Sequence, residues 1–155
     1  MELILWRHAE AEIGEPDLGR KLTARGDKQA RRVAQWLHGQ LPDSARILTS
    51  PAARALQTAQ ALADLSRRKL RIVDALAPGA SVDDVLASVD WPNARVPIVA
   101  VGHQPVFGAV AAHLVAGADL SWSIRKGGVW WLSTREREGD EQVVVRAVLA
   151  PDVLP

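Results

Sequence analysis

Cysteine and tyrosine are both absent from the 155-residue sequence, and each absence closes a branch of chemistry. Without cysteine there is no disulfide, no thiolate nucleophile and no Cys-based zinc or iron–sulfur site, so the fold must rest on its hydrophobic core. A chain of this length can bury roughly two thirds of its unfolded surface, which is enough for such a core. Without tyrosine there is neither a phenolic nucleophile nor a phenolic acid; six tryptophans and one phenylalanine supply the aromatic bulk. An excess of one charge is missing too, since 19 Lys+Arg stand against 18 Asp+Glu and leave a formal net charge of +1. No global field recruits nucleic acid or an anionic membrane, so neither is an expected partner and any anion site must be local. There is no basic leader followed by a long apolar core, no internal repeat and no linker. The expectation is a cytoplasmic protein of one domain, residues 1–155.

What is present is an alternation of short apolar runs and amphipathic stretches. Glu2 to Trp6 is too short for a helix and holds no turn residue, so it reads as a buried strand that delivers Arg7 and His8 at its carboxyl end. Ala9 to Lys21, with Gly14, Pro16 and Gly19 among acidic residues, has a loop composition at a length that usually signals function. Thr23 is placed to N-cap a helix on which Ala30, Val33, Ala34, Leu37 and Leu41 share one face. Arg46 to Ser50 reads as a second strand running into Pro51, the expected first residue of a second helix, with Arg54 in its first turn. Leu70 to Asp74 follows as a third strand, and Ser81 starts a short third helix ending near Trp91-Pro92. Pro97 to His103, apolar from Ile98 to Val101, has the pattern of a parallel strand buried on both faces.

A fourth helix from Pro105 stops at Gly117. Ser121–Thr134 and Gln142–Leu149 read as two antiparallel strands joined by the charged turn 135–140. Trp130 and Trp131 must then face opposite sides of the sheet. The fold class expected is α/β, a three-layer sandwich with a mostly parallel central sheet of about six strands, helices on both faces and antiparallel C-terminal strands.

If the first, second and fourth strands run parallel, Arg7, His8, Ser50, Arg54 and His103 collect at one sheet edge, where ligands bind in open α/β sheets. Two guanidiniums and two imidazoles suit a phosphoryl group, whose oxygens match the arginine fork. A zinc site is less natural, because His8, His38, His103 and His113 show no short ligand spacing; no metal and no cofactor are expected. His38 and His113 lie mid-helix and read as ordinary surface or satisfied core histidines. Arg67-Arg68-Lys69 with Arg71 has the composition of a small nucleic-acid patch, yet it follows a helix end, where cations suit the dipole. Gly127-Gly128 reads as a bulge ahead of the last hairpin, with Lys126 as a rim group near the substrate.

Leu5-Trp6-Arg7-His8-Ala9-Glu10, the stretch from Ser50-Pro51 through Arg54 to Ala59, and Val101-Gly102-His103-Gln104-Pro105 resemble, in order and spacing, the three signature segments of the histidine phosphatase superfamily, the phosphoglycerate-mutase-like group. Arg20-Lys21-Leu22-Thr23-Ala24-Arg25-Gly26 and the small size are similar to the SixA-type phosphohistidine phosphatases, which lack the inserted cap of larger relatives. The resemblance implies a metal-independent phosphatase, of the phosphoric monoester hydrolase or phosphohistidine phosphatase kind, that acts through a phosphohistidine intermediate. In it His8 is the nucleophile and Arg7, Arg54 and His103 complete the catalytic set. Arg7, Arg54 and His103 form the phosphate pocket, with Arg20 as a further contact.

One departure bears on substrate. Relatives acting on phosphate esters carry an acid after the third strand, and the matching stretch, Asp74 to Gly79, puts Pro78 there. An alkoxide leaves poorly without a proton, whereas a phosphoramidate leaves as neutral imidazole, so the substitution favours phosphohistidine. Asp17, Glu10 and Asp74 are the substitutes in view as acid or base. The expected partner is a phosphate-bearing substrate, a phosphohistidine protein being favoured. Two alternatives stay open: a phosphatase of small phosphate esters with the same site, and a non-catalytic phosphate- or phosphohistidine-binding module.

Overall fold

The computed structural model describes residues 1–155. Its elements are β1 (Glu2–Arg7), α1 (Ala24–Gln40), β2 (Arg46–Thr49), α2 (Ala53–Ala63), β3 (Leu70–Ile72), α3 (Val82–Ser88), β4 (Ile98–Gly102), α4 (Val106–Ala116), β5 (Val129–Arg137) and β6 (Asp140–Leu149), with short 3₁₀ turns at Asp17–Gly19, Asp74–Leu76 and Pro151–Val153. One six-stranded sheet has the order β3-β2-β4-β1-β5-β6. The first four strands in that order are mutually parallel, and β5 and β6 add an antiparallel hairpin against β1. The expected mostly parallel sandwich is the one observed. No helix is long and apolar enough to cross a membrane.

The period-2 alternation of the inner strands sorts the core into two layers. Ile4, Trp6, Ile47, Val99 and Val101 pack against α1 and α2 through Val33, Leu37, Ala55, Ala59 and Leu62. Leu3, Leu5, Leu48 and Ala100 pack on the other face against α3 and α4 through Val85, Phe107, Val110 and Ala111. Each fully buried Leu or Ile contributes on the order of 1.5–3 kcal/mol. That burial on both faces fixes the position at which β1 and β4 end. Trp131 and Trp130 divide between the layers as alternation requires: Trp131 meets Trp36 edge-on at 6.0 Å, and Trp130 stacks on Trp122 at 5.2 Å.

Local chemistry sets the element ends. Thr23 Oγ1 accepts from the Gly26 N–H at 2.9 Å and caps α1. Ser81 and Asp84 form a reciprocal capping box on α3, and Gly117, at φ 65°, ends α4 in the left-handed conformation. Gly26 serves a second purpose, because a Cβ there would lie 1.9 Å from the Glu10 carbonyl oxygen. Only glycine lets α1 touch the chain just beyond His8.

Several sequence expectations need correction. Pro51 is not helical: the Ala52 N–H donates to Ser50 Oγ at 3.1 Å, which keeps Ala52 extended and delays α2 to Ala53. The third helix stops at Ser88, short of Trp91-Pro92, and β3 ends at Ile72. Ser121–Gly128 forms no strand, because its backbone polar groups are taken by side chains of other elements: the Trp122 carbonyl accepts from Gln104 Nε2 and the Ile124 carbonyl from Arg7. The hairpin turn is only Glu138-Gly139, both at positive φ, so the flanking charged residues pair as strand.

The basic run is also more structural than its composition suggests. Arg68 is 5 % exposed. It donates to the Leu41 carbonyl at 2.6 Å, the Pro42 carbonyl at 3.0 Å and His38 Nδ1 at 2.9 Å, so it caps α1 rather than its own helix. His38 and His113 both lie on exposed helix surface.

Candidate active site

Because β1, β2 and β4 are parallel neighbours, their carboxyl ends lie side by side, with Arg7 opposite Gly102 and Thr49 opposite Val101. The ladder continues one residue past each end. His8 N–H donates to the Gly102 carbonyl and Ser50 N–H to the Val101 carbonyl, both at 3.0 Å, so His8, Ser50 and His103 are pinned on adjacent strands. From the hairpin side, Gly127 N–H donates to the His8 carbonyl and Arg7 N–H to the Gly128 carbonyl, again at 3.0 Å. Thr58 ties in α2, accepting from the Ala9 N–H at 3.1 Å and donating to the Arg54 carbonyl at 2.8 Å.

The His8 ring is buried and its Nδ1 lies 2.7 Å from the Ala9 carbonyl oxygen. A carbonyl can only accept, so Nδ1 carries the proton and Nε2 keeps its lone pair. Burial pushes the His8 pKa down to about 4. The Ala9 hydrogen bond opposes that shift, while repulsion from Arg54, Arg7 and Arg20 adds to it. His8 is therefore neutral at physiological pH. His103 lies with its ring centroid 5.2 Å from that of His8 and its Nε2 2.7 Å from Ser50 Oγ. Burial first, then repulsion from His8 and Arg54, lower its pKa to about 3, against a smaller opposing pull from Asp17.

The cations are anchored through part of their donor sets. Arg7 Nη1 donates to the Ile124 carbonyl at 2.7 Å. Arg54, 5 % exposed, donates to the Asp17 carbonyl at 2.8 Å and to Asp17 Oδ2 at 3.1 Å. Arg20 donates to the Glu12 carbonyl at 2.7 Å and to Asp17 Oδ1 at 3.1 Å. Arg7 Nε, Arg54 Nε and His103 Nδ1 are buried without a partner. Buried polar atoms are nearly always paired, so three such atoms in one cluster mark unspent hydrogen-bonding capacity of the kind an oxyanion uses. No three His, Cys, Asp or Glu side chains converge in a group able to hold a metal ion.

A family model for the histidine phosphatase superfamily (branch 1) matches residues 3–77, which run from β1 to the turn after β3. Phosphohistidine phosphatase SixA of Escherichia coli (strain K12) is 30% identical over 122 residues, covering 76% of each chain. This chain belongs to the histidine phosphatase superfamily. A phosphohistidine phosphatase SixA homolog of Haemophilus influenzae is 32% identical over 127 residues, 74% of this chain and 77% of that one. Among solved structures, the protein histidine phosphatase SixA complexed with tungstate superposes with a TM-score of 0.83 at 25% identity, over 98% of both chains.

In this member of the superfamily the three acid or base candidates part company. Asp17 joins the cluster, its carboxylate shared between Arg20 and Arg54, whose hydrogen bonds hold it below the usual carboxylate range. Glu10 turns toward α1: its N–H donates to Gln29 Oε1 at 3.0 Å and its carboxylate lies 3.7 Å from Arg25 Nε. Asp74 is exposed in the turn after β3 and makes no hydrogen bond or ion pair with the cluster. Sequence reasoning missed the tie from Thr58 and the carbonyl of Ile124. Thr58 had a readable signal, four residues after Arg54 on the same helix face. Ile124 had none, since its partner is 117 positions away.

Proposed function

We propose that this member of the histidine phosphatase superfamily hydrolyses phosphoryl groups through a covalent phospho-His8, without a metal ion, and that its substrate is phosphohistidine borne on a protein. The observation that carries the reading is the hydrogen bond from His8 Nδ1 to the Ala9 carbonyl. It leaves a neutral Nε2 as nucleophile beside three arginines that oppose protonation of the ring.

In the first step the Nε2 lone pair forms an N–P bond while the bond from phosphorus to the leaving nitrogen breaks, its electron pair staying on that nitrogen. A substrate imidazole already protonated on its other nitrogen departs neutral, so no enzyme acid is needed. Water then attacks phosphorus, its proton passes to the phosphate formed, and His8 Nε2 recovers its lone pair. Arg7, Arg54 and Arg20 neutralise charge on the equatorial oxygens, and neutral His103 hydrogen-bonds one of them.

Two features support phosphohistidine over an ester. Asp17 is the one candidate acid within the cluster, and the arginines hold it ionised, so it has no proton to give an alkoxide. The relatives named above are called phosphohistidine or protein histidine phosphatases.

Labelled substrate should leave an acid-labile, base-stable adduct on the protein that is lost in His8→Ala; a label that survives that change refutes the nucleophile. Arg54→Ala should lower turnover by about 10²–10³-fold with the fold intact. A phosphohistidine peptide should exceed every member of a sugar phosphate panel in kcat/KM. A sugar phosphate ahead by more than about tenfold, roughly 1.4 kcal/mol of transition-state preference, overturns the substrate and leaves the phosphatase standing. Tight vanadate binding without turnover of an activated aryl phosphate would instead assign a non-catalytic binding module.

A further inference from the structure

Next to the His8 cluster, on the same carboxyl edge of the sheet, lies a second concavity of about 470 Å³ that none of the proposed chemistry uses. Arg25, Lys28 and Arg32 line one wall, and Arg125 and Lys126 the other, closed off by the turn after β6. Two carboxylates, Glu10 and Asp152, share the cleft, so it holds an excess of three cations on a chain whose net charge is +1. The charge balance of the protein is even overall and strongly positive here.

The pattern is not accidental packing. Arg25, Lys28 and Arg32 stand at i, i+3 and i+7, one face of the first turns of α1. Cations near a helix N-terminus oppose the macrodipole, so helix stability does not account for Arg25 and Lys28. The two carboxylates quench little: Arg25–Glu10 and Arg125–Asp152 are 3.7 and 3.6 Å apart with both arginines mostly exposed, and such pairs are weak. Lys28 and Lys126 are exposed and have no ion-pair partner.

The cleft is also wired to the nucleophile. Gln29, on its floor, takes the N–H of Glu10, two residues after His8, and Gly127, beside Lys126, donates to the His8 carbonyl.

We propose that this basic cleft docks an acidic protein surface next to the phosphohistidine that enters the His8 site, so that substrate choice is made by charge beside the reacting centre. The proposal rests on the reading of the substrate as protein-borne phosphohistidine. Charge complementarity identifies the occupant: carboxylates flanking the phosphohistidine on the partner's surface meet Lys28, Arg32 and Lys126. Rim charges of this kind act mainly on encounter rate, and their effect fades with salt.

The test uses the full chain and two synthetic phosphohistidine peptides, one flanked by Asp and Glu, the other by Asn and Gln at the same positions, with an aryl phosphate as a substrate that makes no use of the cleft. At low ionic strength the acidic peptide should lead in kcat/KM by about tenfold or more, and the lead should shrink as salt is raised. Lys28→Glu/Arg32→Glu should abolish the lead, and Lys28→Gln/Arg32→Gln should reduce it, both with aryl phosphate turnover unchanged. Equal kcat/KM for the two peptides, or a lead that survives charge reversal, overturns docking while aryl phosphate turnover keeps the phosphatase reading. An oligonucleotide that competes more strongly than the acidic peptide also overturns it, in favour of a nucleic-acid surface. Absence of turnover on all three substrates refutes the phosphatase reading and docking together.

Discussion

Lowering the pH from 7.5 to 5.0 should cost this protein a large part of its stability, and the loss can be assigned to two side chains. His8 and His103 are 9% and 4% exposed, and their pKa values fall from 6.5 to about 4 and about 3. Between those values and 6.5 the unfolded chain binds protons that the folded protein refuses, so stability is fully present above pH 6.5 and is lost as pH falls toward the folded pKa values. Integrated from pH 7.5 to 5.0, each histidine accounts for about 2 kcal/mol, and the pair for about 4 kcal/mol. Against a usual total of about 5–15 kcal/mol that is a severe loss.

The lowered carboxylates do not mask it. Asp17 and Asp84 are shifted down from 3.8, so their contribution is present above that value and disappears only at lower pH. Urea unfolding followed by tryptophan fluorescence at several pH values between 7.5 and 5.0 measures the slope. His8→Asn and His103→Asn should each remove about half of it. A flat profile, or an unchanged slope in both variants, would refute the assignment of buried neutral imidazoles.

Asp17→Asn removes the negative charge that Arg20 and Arg54 hold between them, so inorganic phosphate or vanadate should inhibit about fivefold more tightly, the equivalent of about 1 kcal/mol of repulsion; weaker inhibition would show that the carboxylate helps to build the anion site. Arg68→Ala leaves the Leu41 and Pro42 carbonyls without their donor and should destabilise by about 2–4 kcal/mol in urea, with aryl phosphate turnover per folded molecule unchanged. Gly26→Ala forces α1 away from the Glu10 carbonyl, which a Cβ would approach to 1.9 Å, and should cost about 3 kcal/mol; a neutral effect in thermal unfolding would mean that α1 moves away from that carbonyl at little cost.

The readable parts of the sequence were those whose cause is local. Leu3 to Trp6 and Ile98 to Val101 are apolar without interruption because both faces of the strand are covered, and that pattern needs no knowledge of what covers them. Thr23 and Ser81 cap helices with their own side chains, and Gly117 ends one by its own backbone freedom. Once those strands are known to be parallel, the gathering of Arg7, His8, Ser50, Arg54 and His103 follows from chain order alone.

Where a residue's state depends on a distant group, the sequence was silent. Ser121–Gly128 has strand-like composition but spends its carbonyls on Arg7 and Gln104, and Arg68 sits in a basic run yet is buried across α1. Asp17, Glu10 and Asp74 were equivalent carboxylates on paper; the fold separated them by placing Arg20 and Arg54 around one, Arg25 beside another and solvent around the third. The basic cleft joins α1 to two segments about a hundred residues downstream, at 125–126 and 150–152. By itself the sequence determined the family, the strand and helix order and the residues delivered to the sheet edge, because periodicity, caps and motif spacing act within a few residues. Tertiary structure alone decided protonation, pairing and surface charge, because burial and Coulomb interactions depend on distance in space and not along the chain.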